Sequence, residues 1–404
     1  MKATWSKVVD SFLIDDQPRS MALRILQVIS TADPRSGGPI EGILQSATYL
    51  LRNGHQVDVV SGDDPNAEFI QKFPLPLYAL GPSITPFAYA PKMGKWLEEN
   101  YDKYDAVIGN GIWQYSNLAL RTAAKKAKKP YWLFTHGMLD PWFNDAYPLK
   151  KLKKMLYWPF QYRVLRDAEQ ILFTCEEEKL LARKSFRPYQ VRERVVTYGI
   201  SGPPPGSDAQ IAAFDDAFPD LAHARYMLFL SRIHPKKGCD LLIKAFAEQS
   251  KTDPDLKLVF AGPAPEKYKK ELESIASGLN IEDKISWIGM VQGDVKWGCL
   301  RKAEAFVLPS HQENFGIAVV EALACGCPVL ISKSVNIWRE ITEDGAGVAE
   351  TDDIAGTNRL LKTWIELPKD KRAEMSRKAI DSFAHHFSSE KAAESLIEAL
   401  CERS

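Results

Sequence analysis

The stretch from Pro309 to Pro328 constrains the fold of this chain more than any other. It reads PSHQENFGIAVVEALACGCP and follows the apolar run Phe306-Val307-Leu308. The small and apolar residues after Gly316 predict a short helix, which a glycine and a proline end at positions 326 and 328. A new apolar run begins at Val329. The pattern therefore predicts a strand, a polar loop, a short helix and a second strand, which is a unit of a doubly wound α/β sheet.

The beginning of this short helix has the properties of a nucleotide diphosphate site. The first amides of a helix have no intrahelical partner, and that end carries about half a positive charge. Phosphate groups bind there for both reasons. Gly316 has no side chain that would block a close approach of the ligand. We therefore expect the backbone amides of four residues to bind the diphosphate: Asn314, Phe315, Gly316 and Ile317.

Two carboxylates lie on the same unit, with seven residues between them. Glu321, about a turn into the helix, is placed to accept hydrogen bonds from sugar hydroxyls. A carboxylate beside a bound phosphate would be repelled unless it also faces hydroxyls. Glu313 is therefore interpreted as a residue that contacts a sugar, and not as a phosphate or metal ligand. The alternative is a helix that packs on a sheet and carries two incidental acids.

The pattern Pro-Ser-x-x-Glu-x-Phe-Gly-x-x-x-x-Glu-Ala-x-Ala-x-Gly-x-Pro-Val resembles the retaining GT-B glycosyltransferases of family 4, the glycosyl transferases of group 1, in their bacterial polysaccharide form. The resemblance extends from about Arg24 to the C-terminus. It implies two doubly wound, Rossmann-like α/β domains that face a cleft. The first would hold most of the acceptor and the second most of the nucleotide. Glu313 would contact the donor sugar and Glu321 the ribose.

The 404 residues are enough for two domains of ordinary size. Gly202 to Asp208 is rich in proline and glycine, and it predicts the joint between them. The predicted organisation is a leader (1–20), an acceptor-side domain (21–200), a linker (201–222), a nucleotide-sugar domain (223–385) and a C-terminal helix that packs back on the first domain (386–404).

Composition excludes several classes of protein. There are 52 basic and 52 acidic residues, so the chain lacks the net positive charge that would indicate a nucleic acid as a partner. The six cysteines are scattered, as is usual in a reducing compartment. The first twenty residues contain no apolar export signal, and no apolar run is long enough to cross a membrane. These observations predict a cytoplasmic protein.

Two features of the first domain are candidate site residues. Gly37 and Gly38 follow the strand Arg24 to Ser30, but they do not form the Gly-x-Gly-x-x-Gly dinucleotide pattern. His136 follows the strand Tyr131 to Thr135, at the edge where open α/β sheets bind ligands. The resemblance implies that the glycine loop approaches the donor phosphates and the acceptor, and that His136 contacts the donor sugar near the reacting carbon. The alternatives are a tight turn and a structural histidine.

Arg232 and Lys237 are the candidate cations of the second domain. They bracket a turn at the end of the strand Tyr226 to Ser231. Two cations fixed there would hold a diphosphate and stabilise its charge as it leaves. The context resembles the family pattern Gly-Arg-x-x-x-x-Lys-Gly, except that Ser231 replaces the first glycine. The alternative is two solvated surface cations.

Three further positions are implied by the resemblance alone. Gly262 would lie near the nucleotide, and Met290 with Val291 would lie where the base is recognised. Tyr198-Gly199 stands where the family usually has Asn-Gly, so no role is assigned to Tyr198 on this ground.

The segment from Pro148 to Arg166 is basic and rich in aromatic residues, and it contains no acid. Such a segment can lie on an anionic membrane surface. A core-packing helix with a solvated basic face would have the same composition. We expect Pro159 to break the helix in either case. A membrane role would place the protein on the inner face of the plasma membrane.

The predicted function is transfer of a hexose-type sugar from a UDP-, GDP- or ADP-sugar to a glycan or lipid-linked acceptor, as in exopolysaccharide or O-antigen synthesis. The resemblance implies retention without a covalent nucleophile, and it implies no cofactor and no metal. The acidic pairs Asp63-Asp64 and Asp352-Asp353 are typical of turns or helix starts. The alternatives are a nucleotide-sugar 2-epimerase, a glycosyl phosphorylase, for which no feature argues, and a non-catalytic sugar-nucleotide binding protein.

Overall fold

A computed structural model describes residues 22–146 and 148–402. The predicted leader, 1–20, therefore lies outside the described residues. Within them the chain forms two parallel sheets, each with helices on both faces. The predicted fold class, two doubly wound α/β domains, is confirmed.

The first sheet has seven strands among the described residues. In chain order, β1 to β7 are Arg24–Val28, Gln56–Ser61, Leu77–Ala79, Ala106–Asn110, Trp132–Phe134, Gln170–Phe173 and Glu193–Val195. Their order across the sheet is β3-β2-β1-β4-β5-β6-β7. Helices α1 to α6 are Gly38–Arg52, Pro91–Asn100, Tyr115–Ala127, Trp142–Ala146, Pro148–Arg166 and Glu176–Ala182.

The second sheet has six strands in the part of the chain that the structure describes. In chain order, β8 to β13 are Arg225–Leu230, Leu256–Ala261, Ile285–Gly289, Ala305–Leu308, Val329–Ser332 and Gly347–Glu350. Their order across the sheet is β10-β9-β8-β11-β12-β13. Helices α7 to α15 are Ser207–Ala217, Cys239–Gln249, Glu266–Gly278, Gly293–Lys302, Ile317–Ala324, Trp338–Glu343, Ile354–Glu366, Lys369–Ser382 and Ser389–Cys401.

Both sheets reverse their strand order at one point. In the first sheet β1 lies beside β4, and in the second β8 lies beside β11. Ligands of open α/β sheets bind beyond the carboxyl ends of the strands at such a reversal. The loops after β1, β8 and β11 carry Gly37, Arg232 and Glu313, so the fold brings the predicted site residues to the two reversal points.

The joint between the domains is shorter than the predicted linker. Residues 202–206 form no helix or strand, but α7 occupies 207–217, within the predicted linker, and packs on α10. An ideal Cβ at Gly298 of α10 would lie 2.0 Å from the carbonyl oxygen of Gln210, so the two helices approach closely. Burial of Phe214 in the second domain's core accounts for this helix, which the proline- and glycine-rich composition before it did not predict.

The end of the chain returns to the first domain. Ile200 pairs with Ser388 in an isolated β-bridge, and α15 then packs on α1. Ala393, Leu396 and Leu400 are buried there with Ile40 and Ile43. Part of the first domain's core is therefore supplied by the last helix.

The expected break at Pro159 is wrong. Helix α5 runs through this proline from Pro148 to Arg166. Trp158, Val164 and Leu165 on its second half are buried in the first domain's core. That packing compensates for the hydrogen bond that a proline cannot donate, since tertiary contacts often override local preference.

Candidate active site

The cavity between the two domains has a volume of about 290 Å³. Seven of the predicted site residues line it: Gly38, His136, Glu313, Asn314, Phe315, Gly316 and Ile317. Pro39, Thr174, Tyr198, Ser231, Leu308 and Ala318 complete its wall. The loops of both domains thus contribute to the wall of one cavity.

The donor loop, which we define as residues 309–316, ends in the predicted anion site. Gly316 has a φ of 76° and precedes α11, which begins at Ile317. Within the described residues, none of the backbone N–H groups from Asn314 to Ile317 donates a hydrogen bond to the protein. Four donors at the positive end of a helix therefore border the cavity, as an anion site requires.

Glu313 and Lys237 form an ion pair inside the cleft. Lys237 is only 9% exposed, so this charge is largely removed from water. The backbone of Glu313 is fixed independently of the side chain, because its N–H donates to Ser334 O and its carbonyl accepts from Asn336 N. The carboxylate and the ammonium neutralise each other here.

Glu321 also has a lysine partner, which the sequence did not suggest. Lys296 Nζ lies 2.6 Å from Glu321 Oε1 and 4.3 Å from the centre of the Trp297 ring. Burial raises the pKa of Glu321, and Lys296 opposes that rise. Lys296 lies 25 residues earlier in the chain, and only the packing of α10 beside α11 reveals the pair.

The second-domain turn 231–238 is held against the donor loop. Gly238 has a φ of 68°, and an ideal Cβ there would lie 2.1 Å from Pro309 O. His311 N donates to Lys236 O at 2.8 Å. Arg232 is exposed, and it forms no ion pair within residues 22–146 and 148–402. The family's glycine is not needed at Ser231, since its backbone is outside the left-handed region.

The cavity wall, as the described residues form it, does not include the other seven predicted site residues: Gly37, Arg232, Lys237, Gly262, Met290, Val291 and Glu321. Gly262 has a φ of 139°, and a Cβ there would lie 1.9 Å from Ser231 O. Its N–H donates to Gly289 O, which places Met290 and Val291 beside the end of β9. Gly37 precedes α1 with a φ of 88° and has open space around it.

His136 occupies an unusual backbone position, with a φ of 49°. Its Nε2 lies 3.0 Å from Asn110 Oδ1, while Asn110 Nδ2 donates to Gln27 Oε1. Asn110 Oδ1 is thus an acceptor, and the imidazole must carry its proton on Nε2. Burial lowers the pKa of His136 to about 3, so the ring is neutral. Its Nδ1 remains as a hydrogen-bond acceptor.

Tyr198 lines the cavity where the family pattern has asparagine. Its ring lies 5.7 Å from the ring of His136 and 5.5 Å from that of Phe315. Its hydroxyl donates to Pro39 O at 3.1 Å. An ideal Cβ at Gly42 would lie 1.7 Å from the Tyr198 ring, so α1 has a glycine where the tyrosine packs.

Comparison with known proteins identifies the two halves. The model of the glycosyl transferase 4-like domain matches residues 37–199, and that of the glycosyl transferases of group 1 matches residues 215–382. Together they cover well over half of the chain.

Individual relatives are more distant. An uncharacterised glycosyltransferase of Methanocaldococcus jannaschii is 25% identical over 339 residues, 79% of this chain and 83% of that protein. A D-inositol 3-phosphate glycosyltransferase of Geodermatophilus obscurus is 36% identical over 126 residues, which are 30% of this chain and 28% of that protein. The chain thus matches less than a third of that second relative's length.

Solved structures share the fold. Anabaena HepE in complex with UDP has a TM-score of 0.75 at 18% identity and covers 94% of this chain and 99% of its own. WaaG, a glycosyltransferase involved in lipopolysaccharide biosynthesis, has a TM-score of 0.60 at 16% identity, with 92% and 99% covered. Both domain models and the fold lead to one assignment: the chain belongs to the GT-B glycosyltransferases of group 1.

Proposed function

We propose that the protein transfers a hexose-type sugar from a nucleotide diphosphate sugar to a glycan or lipid-linked acceptor, with retention and without a metal. The observation that carries the proposal is the single cavity that joins His136, Glu313 and the free amides of the donor loop. HepE has been solved with UDP-glucose, which makes UDP-sugars the first donors to test. Synthesis of an exopolysaccharide or O-antigen is the proposed role.

We propose a task for each group. Arg232, Lys237 and the donor-loop amides stabilise the diphosphate as the bond to the anomeric carbon breaks. Glu313 holds the donor sugar, and neutral His136 accepts a hydrogen bond from one of its hydroxyls. Paired with Lys237, Glu313 serves as a sugar contact and not as a covalent nucleophile. The sugar passes through a short-lived oxocarbenium-like ion pair, and the departing phosphate takes the acceptor's proton.

The experiment that tests this proposal is thermal stabilisation by a panel of nucleotide diphosphates and their sugars, in EDTA. A ligand that binds the native protein raises the melting temperature by mass action. We expect one nucleotide diphosphate and its sugars to raise the melting temperature more than the others do. EDTA should leave that rise unchanged. No shift with any member would contradict the proposal, and a shift that needs a divalent cation would contradict its metal independence.

Product analysis separates the proposal from its alternatives. A transferase forms its product only with an acceptor, whereas a 2-epimerase converts the nucleotide sugar alone. A non-catalytic binder would be stabilised by the nucleotide sugar and would release no nucleotide diphosphate.

Replacing Glu313 by alanine should impair sugar handling more than nucleotide binding. The donor-loop backbone is held by Ser334 and Asn336, so the amides that face the phosphates should stay in place. We expect the thermal shift with bare nucleotide diphosphate to persist while turnover of its sugar falls by about tenfold or more. Equal loss of both would show that the assignment of Glu313 is wrong or that the variant is misfolded.

The exposed side chains on the first half of α5 support the proposal that the protein binds peripherally to an anionic membrane surface. Leu149 is 85% exposed and Leu156 is 73% exposed, and Leu152 and Met155 are exposed as well. Lysines are interleaved with them and no acid is present. Among the described residues, no helix is both long and apolar enough to span a bilayer. A basic helix face with exposed apolar side chains is typical of interfacial binding.

A second exposed segment adjoins this helix. Phe87 lies 5.4 Å from the Tyr157 ring, in a short hairpin closed by pairing of Ile84 with Tyr89. Ile84 is 54% exposed and Tyr89 is 38% exposed. The apolar surface thus continues from α5 onto a neighbouring loop of the same domain.

Vesicle sedimentation tests the membrane proposal. We expect the protein to sediment with vesicles that contain phosphatidylglycerol, and not with pure phosphatidylcholine. Replacing Leu149 and Leu156 by serine should release it, as should replacing Lys151 and Lys153 by glutamine. Ile354→Ser, at an exposed apolar residue of the second domain, is the matched control. Unchanged binding by both double variants would refute the proposal.

A further inference from the structure

The carboxylate of Glu178 binds the residues on both sides of His136. Its Oε1 accepts from Thr135 Oγ1 and from Gly137 N, each at 2.6 Å. Gly137 has a φ of 73°, so two consecutive residues of this turn are left-handed. A histidine in that conformation persists only when its surroundings hold it. Glu178 supplies two of the hydrogen bonds that do so, beside the turn bond from Met138 N to Thr135 O.

The other oxygen of the same carboxylate reaches toward the second domain. Glu178 Oε2 accepts from Thr174 N and Thr174 Oγ1, each at 2.7 Å. Because the Thr174 hydroxyl donates to Glu178, its lone pairs are free to accept from Asn314 Nδ2 at 3.2 Å. The His136 turn is thereby linked to the donor loop across the cleft.

Glu178 is an unusual side chain to find in such a place. It is 3% exposed, and none of the ion pairs of the described residues includes it. Four hydrogen bonds compensate for the burial of its charge. Its neighbours Glu176 and Glu177 instead pair with Lys179 and Arg339. Of the three consecutive acids, only Glu178 is buried, and it contacts the residues on both sides of His136.

We infer that Glu178 is a positioning residue, which holds His136 so that its free ring nitrogen faces the donor sugar. The inference rests on the proposed function, because it gives His136 a sugar to contact. Glutamine is the informative replacement. The glutamine amide has the same shape as the carboxylate, but its NH₂ end donates hydrogen bonds and cannot accept them. In either orientation of the amide, that NH₂ group would face a backbone N–H, that of Gly137 or that of Thr174, which is fixed in place.

The test compares Glu178→Gln with Glu176→Gln, a matched change two residues earlier, at a side chain that is 45% exposed. We expect kcat/KM for the nucleotide sugar to fall by about tenfold in Glu178→Gln and to stay unchanged in the control. Stabilisation by the bare nucleotide diphosphate should persist, because the proposed phosphate site is formed by the donor-loop amides of the second domain. In a His136→Ala background, Glu178→Gln should add almost nothing. Wild-type kcat/KM, or losses that multiply in the double variant, would overturn the inference.

A second measurement does not depend on turnover. In protein labelled with ¹⁵N-histidine, the Nε2–H of His136, identified by its loss in His136→Ala, should give a protected cross-peak. We expect this signal to shift or broaden in Glu178→Gln and to persist in Glu176→Gln. An unchanged signal would refute the inference even if no nucleotide sugar were turned over, whereas absence of turnover in the wild type would refute the proposed function alone. If Glu178→Gln does not fold, Thr135→Val removes one of the four donors and should change the same signals in the same direction.

Discussion

Replacing Lys237 by alanine is expected to slow donor turnover by about a hundredfold, the loss found when a preorganised charge-stabilising donor is removed. Lys237 is almost buried and pairs with Glu313, so its ammonium acts where water screens charge poorly. The variant also leaves the Glu313 carboxylate unpaired beside the departing diphosphate. Both effects act in the transition state, so kcat should fall more than KM rises. Steady-state kinetics with the donor found by the thermal screen measures this.

A surface ion pair provides the control for this variant. Lys244 pairs with Asp240 at 3.1 Å on the exposed face of α8, and Lys244→Ala should leave turnover unchanged. A Lys237→Ala enzyme with the wild-type kcat would remove Lys237 from the mechanism. The double variant Lys237→Ala, Glu313→Ala should lose less than the product of the single losses, because the two side chains contact each other.

Replacing Gly238 by alanine should be the most destabilising single change in the second domain that we predict. The left-handed φ of 68° strains any residue with a Cβ, and that Cβ would lie 2.1 Å from a backbone oxygen of Pro309. Strain and overpacking together should lower the free energy of unfolding by about 2–4 kcal/mol. Chemical denaturation of the purified variant measures this loss.

Gly293 separates the two contributions. Its φ is 55°, but nothing lies within 4 Å of an added Cβ. Gly293→Ala should therefore cost only the backbone strain, about 1–2 kcal/mol. Equal losses in the two variants would show that the contact with Pro309 does not matter.

Local patterns predicted much of the fold. The short helix Ile317–Ala324 lies at the predicted position, between the strands Ala305–Leu308 and Val329–Ser332. Apolar periodicity and the residues that begin and end helices are local signals, so the sequence displays them. The donor loop was predictable for the same reason, since strand, glycine and helix follow one another directly in the chain.

Features that depend on distant pairing were not predictable. Lys296 is a site residue only because α10, which carries it, packs beside α11 and brings it to Glu321. Glu178 is one only because it binds the turn that follows β5. In the sequence Glu178 is one of three acids at a helix start, where acids are common for the dipole alone. Tyr198 departs from the family pattern, and only its contacts with His136 and Phe315 show that it belongs to the cavity wall.

The return of the last helix to the first domain bears on how such proteins can be recombined. Residues 389–401 follow the second domain in the gene, yet their apolar side chains complete the core around Ile40 and Ile43. In a chimera that takes every residue after 200 from a relative, the relative's last helix would have to pack on this protein's first domain, and its side chains would not match that core. Exchange of donor specificity between relatives should therefore succeed when the crossover points lie at both joints, near 201 and 387, so that the final helix stays with the domain it completes.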